Sequence, residues 1–171
     1  LHVSHLFKNN SFFYPAVSGS FILSEVLGLQ NAKVNYVKLR AGWSKVGGTG
    51  PLGEYSTNRT FTLANNNFGT QSSVPNTQWN PNIKPESTVG TEFGVDVNAY
   101  GNRVRLAATY YSQTSTDLIL PLQVEAASGF TSSWENAGEM TNRGIELQIN
   151  AAIIQKKYFS WNTAFNLSFN R

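Results

Sequence analysis

Between Ser87 and Asn98 the even positions read Thr88, Gly90, Glu92, Gly94, Asp96 and Asn98, while the odd ones read Val89, Thr91, Phe93, Val95 and Val97, continuing to Ala99. Successive side chains of a strand point to opposite faces, so this pattern specifies one polar face and one largely apolar face. The same period of two returns along most of the chain. Such segments exceed the ordinary strand of about 5–6 residues and reach the roughly 9–11 that a tilted strand needs to cross a bilayer. The chain reads as all-β and as the wall of a membrane barrel.

Composition fits that wall. Charged residues are 13% of the chain, against about 25% in soluble domains, and Asn, Ser and Thr supply much of the polarity. Hydroxyls and amides can wet one face without placing charges near hydrocarbon. No run reaches the roughly 18 apolar residues of a spanning helix. Without Cys there is no disulfide framework and no thiol redox chemistry. The net charge of +3 is scattered without a basic stripe, which argues against a nucleic-acid partner.

About six candidate strands emerge: Phe12 to Leu23, Val34 to Val46, Ser87 to Tyr100, Arg103 to Leu120, Asn136 to Ile154, and Tyr158 to Arg171. Gly47 to Glu86 and Pro121 to Glu135 are long connections, whereas Gly101-Asn102 and Gln155 to Lys157 are tight. In an up-and-down barrel the short turns are periplasmic and the long loops extracellular. A two-residue turn at Gly101-Asn102 pairs Val97 with Leu106, Val95 with Ala108, and Phe93 with Tyr110. A three-residue connection at Gln155 to Lys157 pairs Ile153 with Phe159, Ala151 with Trp161, Leu147 with Phe165, and Ile145 with Leu167. Both hairpins keep apolar faces together, which a one-residue slip would reverse. Two aromatic girdles are implied: Tyr36, Tyr100, Tyr158, Phe159 and Trp161 at the periplasmic ends, and Phe12, Phe13, Tyr14, Trp43, Tyr110 and Tyr111 at the outer ends.

Several segments act as ordered words: Phe13-Tyr14-Pro15-Ala16-Val17-Ser18; Val37-Lys38-Leu39-Arg40-Ala41-Gly42-Trp43-Ser44; Lys84-Pro85-Glu86 with Gly90-Thr91-Glu92-Phe93-Gly94; Tyr110-Tyr111 with Thr116-Asp117-Leu118-Ile119; and Asn136-Ala137-Gly138-Glu139 with Asn142-Arg143-Gly144-Ile145-Glu146-Leu147. From Phe12 through Asn170 the set resembles the C-terminal barrel of the SusC/RagA-type TonB-dependent outer-membrane transporters. The resemblance implies a fragment of a large antiparallel transmembrane β-barrel of roughly 22 strands. Residues 1–171 would be its C-terminal portion, with signal sequence, plug and TonB-contact segment preceding Leu1. A start without Met and an end inside an alternating pattern lead to the same expectation of a longer polypeptide. The resemblance further implies TonB-energised import of a nutrient, such as an oligosaccharide or peptide, through the outer membrane of a Gram-negative bacterium. A SusD-like surface lipoprotein would cover the barrel mouth.

Candidate sites fall in two places. Glu92, Asp96, Arg105 and Glu146 lie on the polar, lumenal face, and the predicted register sets Asn98 opposite Arg105 with Asp96 diagonal to it, which favours an ion-pair network. In the long loops Tyr55, Phe61, Phe68, Trp79, Phe130 and Trp134 sit among amides and hydroxyls. Aromatic faces beside amides hold sugars or peptides, so Tyr55, Trp79, Phe130 and Trp134 are the candidate substrate or partner contacts; packing of the loops is their alternative role. Pro85 can open a strand, Gly90 and Gly94 leave room on the inward face, and Gly138 and Gly144 permit bends.

No catalytic constellation, metal site or cofactor is expected. No carboxylate pair or nucleophile–base set is fixed by spacing, so the chain is not read as an enzyme. His2 and His5 lack a third ligand. Asn58-Arg59-Thr60 and Asn166-Leu167-Ser168 match a glycan acceptor pattern that recurs by chance. The competing class is a soluble carbohydrate-binding β-sandwich, which would bury its apolar strand faces in a second sheet. If the odd positions face lipid, Val95→Arg or Leu147→Arg costs on the order of 2–4 kcal/mol near the bilayer midplane, and Arg at an inward position costs less. Unfolding of each variant in lipid measures the difference, and equal tolerance on both faces would refute the assignment.

Overall fold

The alternating segments form strands because each backbone N–H and C=O finds its partner on the neighbouring segment rather than within its own. The computed structural model describes residues 12–29, 33–53, 56–58, 61–67 and 69–171. Its strands are β1 (Ala16–Ile22), β2 (Val34–Gly48), β3 (Thr62–Asn66), β4 (Gly69–Ser73), β5 (Thr77–Gln78), β6 (Glu86–Ala99), β7 (Val104–Gln123), β8 (Ser132–Lys156) and β9 (Phe159–Asn170). A single helical turn, α1 (Leu23–Val26), follows β1, and a 3-10 turn occupies Ala126–Ser128. The chain divides into two compact units, Leu1–Tyr14 with Val46–Thr88 and Ser115–Met140, and Pro15–Lys45 with Val89–Thr114 and Thr141–Arg171.

In the second unit the strands hydrogen-bond in the order β1, β2, β6, β7, β8, β9. Val17 lies opposite Trp43 and Phe21 opposite Leu39. Gly101 and Asn102 take φ of 65° and 66°, the left-handed pair that matches a two-residue turn to strand twist, and Arg103 N donates to Tyr100 O at 3.4 Å. Thr91 Oγ1 donates to Ser112 O. This bond follows the predicted hairpin register. In the first unit the Thr88–Ser115 hydroxyl pair and the bond from Thr116 Oγ1 to Ser87 O follow it as well.

The β8–β9 hairpin differs from its predicted register. Leu147 opposes Leu167 rather than Phe165, Ile145 opposes Phe169, and Lys156 opposes Phe159, with an irregularity between Ala152 and Ile154. The turn is therefore Lys157-Tyr158, where the lysine ammonium lies 5.3 Å from the tyrosine ring centre. A two-residue slide preserves face parity, which is why the apolar pattern alone did not detect it. The odd, apolar face is open: Phe21, Phe93, Ile145, Phe165, Leu167 and Phe169 are all more than half exposed. Tyr110 lies exposed, whereas Tyr111 turns to the other face against Gly144.

The first unit holds the buried apolar cluster of Leu52, Ile83 and Ile119, with Phe12 and Trp134 packed against it. Phe12 and Tyr14, predicted to begin the first strand, instead stack 6.2 Å apart ahead of it. The connection predicted as a loop from Gly47 to Glu86 contains the β3–β4 hairpin and β5, which pairs in parallel with β8 through Thr77–Ser132 and Gln78–Ser133. β7 and β8 extend into the predicted Pro121–Glu135 loop and shorten it. Asp117 has a φ of 56° and breaks the strand's regular course, and the Ile119 N–H two residues on donates to Glu86 Oε1 at 2.9 Å. Asn136 bonds both the N–H and the C=O of Lys84 and also the Asp117 carbonyl. The Lys84-Pro85-Glu86, Thr116-Asp117 and Asn136 words thus form one clasp that satisfies backbone groups around an irregular strand segment.

Gly144 is buried, and a Cβ there would stand 2.6 Å from the Phe169 carbonyl oxygen and 2.7 Å from the Tyr111 hydroxyl. The carbonyl belongs to the ladder and cannot swing aside. Gly144→Ala is expected to destabilise by roughly 1–3 kcal/mol, as overpacking does, measured by denaturant unfolding of the complete protein; unchanged stability would show that the strand pair yields freely.

Candidate functional site

The polar face of the second unit is organised around Arg40, in the middle of β2. Even positions of β2 and β6 meet on this face, because a Cβ at Gly90 would touch Ser44 Oγ and one at Gly94 would lie 2.7 Å from an Arg40 guanidinium nitrogen. The guanidinium rests over Gly94, in space that any side chain there would take. From that position Nη1 reaches Glu92 Oε1 at 3.3 Å, Nη2 reaches Asp96 Oδ1 at 3.4 Å and Thr109 Oγ1 at 3.2 Å, and Nε lies 3.1 Å from Asp96 Oδ2. The Nε contact is short enough for an ion pair but too far off line for a hydrogen bond.

These side chains are 33% exposed for Arg40, 29% for Asp96 and 54% for Glu92. Water therefore screens the charges, and the cluster orders the wall more than it stabilises it. Glu146 lines a neighbouring recess of about 430 Å³ with Arg40 and Thr109. A second recess of about 460 Å³ has Gly42, Gly90 and Ser44 between Glu92 and Tyr111. Carboxylates, hydroxyls and an aromatic edge on a glycine-lined surface suit contact with a polar ligand.

Glu92 and Asp96 pair with Arg40 and Glu146 lines a recess with it, whereas Asp96, expected diagonal to Arg105, pairs with Arg40 and not with Arg105. Arg105 lines a separate recess beside Asn150. Arg40 was missed because a 37-residue separation between β2 and β6 hides their register, although the alternation of Leu39, Arg40 and Ala41 opposite a strand with Gly94 was its available signal.

Trp79 and Phe130 meet edge to face at 5.5 Å. Trp134 packs against the Leu52, Ile83 and Ile119 cluster, and its carbonyl accepts from Asn80, which also reaches Glu135. Phe61 is exposed. Tyr55, Phe68, His2, His5 and Arg59-Thr60 lie outside the described residues. Among the described residues no three His, Cys, Asp or Glu side chains are grouped to hold a metal.

The family model described as "TonB dependent receptor-like, beta-barrel" matches residues 4–171. The chain belongs to this family. It is 31% identical to TonB-dependent receptor P3 of Formosa agariphila over 98% of its own length and 17% of that protein. It is 25% identical to TonB-dependent receptor SusC of Bacteroides thetaiotaomicron over 92% of its length and 16% of that one. The chain thus spans under a fifth of the curated relatives it matches. Among solved structures, the RagAB peptide transporter superposes with a TM-score of 0.86 at 24% identity, covering 99% of this chain and 19% of that one. The siderophore receptor PirA from Pseudomonas aeruginosa gives 0.56 at 15% identity, covering 92% and 28%. These likenesses show the barrel fold.

For this family member Gly94→Ala is expected to lower stability by less than about 1 kcal/mol, since the displaced group is the end of a flexible side chain, while removing the ion pairs. A double-mutant cycle between Arg40 and Asp96 should give a coupling of about 0.5–1 kcal/mol that falls toward zero in the Gly94→Ala background. An unchanged coupling would show that the guanidinium does not need the glycine.

Proposed function

We propose that this chain is a C-terminal part of the wall of an outer-membrane barrel that imports a nutrient, an oligosaccharide or a peptide, with energy delivered through TonB and a SusD-like lipoprotein at its mouth. The observation that carries the reading is a single hydrogen-bonded sheet, in a chain of this barrel family, whose apolar face is open and whose opposite face carries Arg40, Glu92 and Asp96. Such a sheet requires hydrocarbon on one side and water on the other. A soluble sandwich would instead cover Phe21, Leu39 and Phe93 with a second layer. The chain acts in this reading as a receptor wall, not as an enzyme.

The names of the relatives support the choice of cargo class: one is a peptide transporter and another is called SusC. In this reading the long connections that carry Trp79 and Phe130 are extracellular, because the short turns of such barrels are periplasmic. Their half-buried edge-to-face pair supplies aromatic surface for sugar or peptide contact, and Tyr55 and Trp134 are the further candidate contact residues.

In the complete transporter, Trp79→Ala combined with Phe130→Ala should lower uptake of its oligosaccharide or peptide cargo roughly three- to tenfold, in keeping with aromatic contact energies. Barrel assembly and surface exposure should remain normal. Uptake from a panel of oligosaccharides and peptides, together with co-purification of the lipoprotein, measures the effect; normal assembly with unchanged uptake and unchanged lipoprotein association would remove this pair from the site.

A further inference from the structure

Up to Ala152 the apolar face of β8 is made by its odd positions, with Leu147 beside Leu167 and Ile149 beside Phe165. The pairing then skips Ile153. An extra residue on one strand reverses the facing of every residue beyond it. β9 continues without interruption, so the apolar-face pairs become Ile154 with Trp161 and Lys156 with Phe159. The bulge therefore carries a lysine from the polar face to the apolar one, on the last rung before the turn.

Lys156 is exposed, and the next residue, Lys157, holds its ammonium 5.3 Å from the centre of the exposed Tyr158 ring. The ring face attracts the cation and limits where it goes, while each ammonium keeps three N–H donors for a ligand. Phe159 and Trp161 are more than half exposed. No Asp or Glu occurs between Glu146 and Arg171, so the hairpin offers neither lysine a carboxylate near the turn.

A ligand that fits this place carries negative charge at the end of an apolar body, because Lys156 and the aromatic rings share one face. Inorganic phosphate or an acidic protein loop supplies the charge without the apolar body. A phospholipid has both: its phosphate meets the two lysines, and its acyl chains lie over Trp161 and Phe165. A headgroup with its own ammonium gains less from the lysines, so net negative charge is preferred. We propose that the β8–β9 turn holds an anionic phospholipid of the adjoining leaflet through Lys156 and Lys157. The site rests on the reading of the sheet as barrel wall and adds to it one lipid at one place.

The test uses the complete protein that carries this chain, reconstituted in phosphatidylcholine vesicles with a minor fraction of phosphatidylglycerol bearing a diazirine near the head of its acyl chain. After irradiation, mass spectrometry should find the label concentrated between Ile154 and Trp161, whereas the same diazirine on phosphatidylcholine labels the apolar face without that preference. Lys156→Gln with Lys157→Gln should lower the concentrated label roughly tenfold, as loss of two cations at a membrane surface does. The Lys156→Arg, Lys157→Arg variant should retain it, and so should Lys33→Gln, which removes a cation from another connection. Normal heat-modifiable mobility of each variant shows that the barrel has assembled. Equal labelling by the two lipids would leave the wall reading standing and overturn this proposal, as would a label indifferent to both lysines or displaced by inorganic phosphate. Failure of either lipid to label the apolar face would overturn the wall reading and the site together.

Discussion

The backbone hydrogen-bond ladder is the interaction on which the second unit depends. Each strand satisfies its neighbours' N–H and C=O groups, so the sheet keeps its order although most of its apolar side chains are uncovered. Among the described residues the buried hydrophobic side chains, Leu52, Ile83 and Ile119, all belong to the first unit. A water-soluble domain gains most of its stability by covering apolar surface. A wall in lipid has no such need, because hydrocarbon accepts the apolar face and the ladder leaves no backbone group unpaired within it.

Where the ladder is interrupted, side chains take over its work. The left-handed turn of the backbone at Asp117 accompanies the bond from Ile119 N to the Glu86 carboxylate, and the Asn136 amide ties the Lys84 backbone to the Asp117 carbonyl. Asn80 does the same for Trp134 and Glu135. These polar clasps let the strand segments of the first unit carry irregular backbone with its polar groups satisfied.

The polar face follows a different rule. Small residues there make room for larger partners: Gly94 for the Arg40 guanidinium and Gly144 for the Tyr111 hydroxyl beside the Phe169 carbonyl. The glycines read as room on the inward face or as bends therefore serve, at these two positions, side chains of the wall itself. Arg40 gathers Glu92 and Asp96 into one cluster, while Arg103 and Arg105 remain apart from any lining carboxylate.

Period-two alternation and turn chemistry made much of this legible in advance. The strand faces, the Gly101-Asn102 turn and the β6–β7 register followed from local patterns, because side-chain direction and left-handed backbone are properties of a few adjacent residues. The ordered words of the chain likewise pointed to the barrel family. Local pattern could not separate the β8–β9 register from one slid by two residues, since both place Leu147 and Ile145 on the apolar face. Nor could it show that Arg40 meets Asp96, that Phe12 leaves the first strand for the Leu52 cluster, or that β5 joins β8. Those pairings join residues far apart in the chain, and only the tertiary structure decides which distant strands lie side by side.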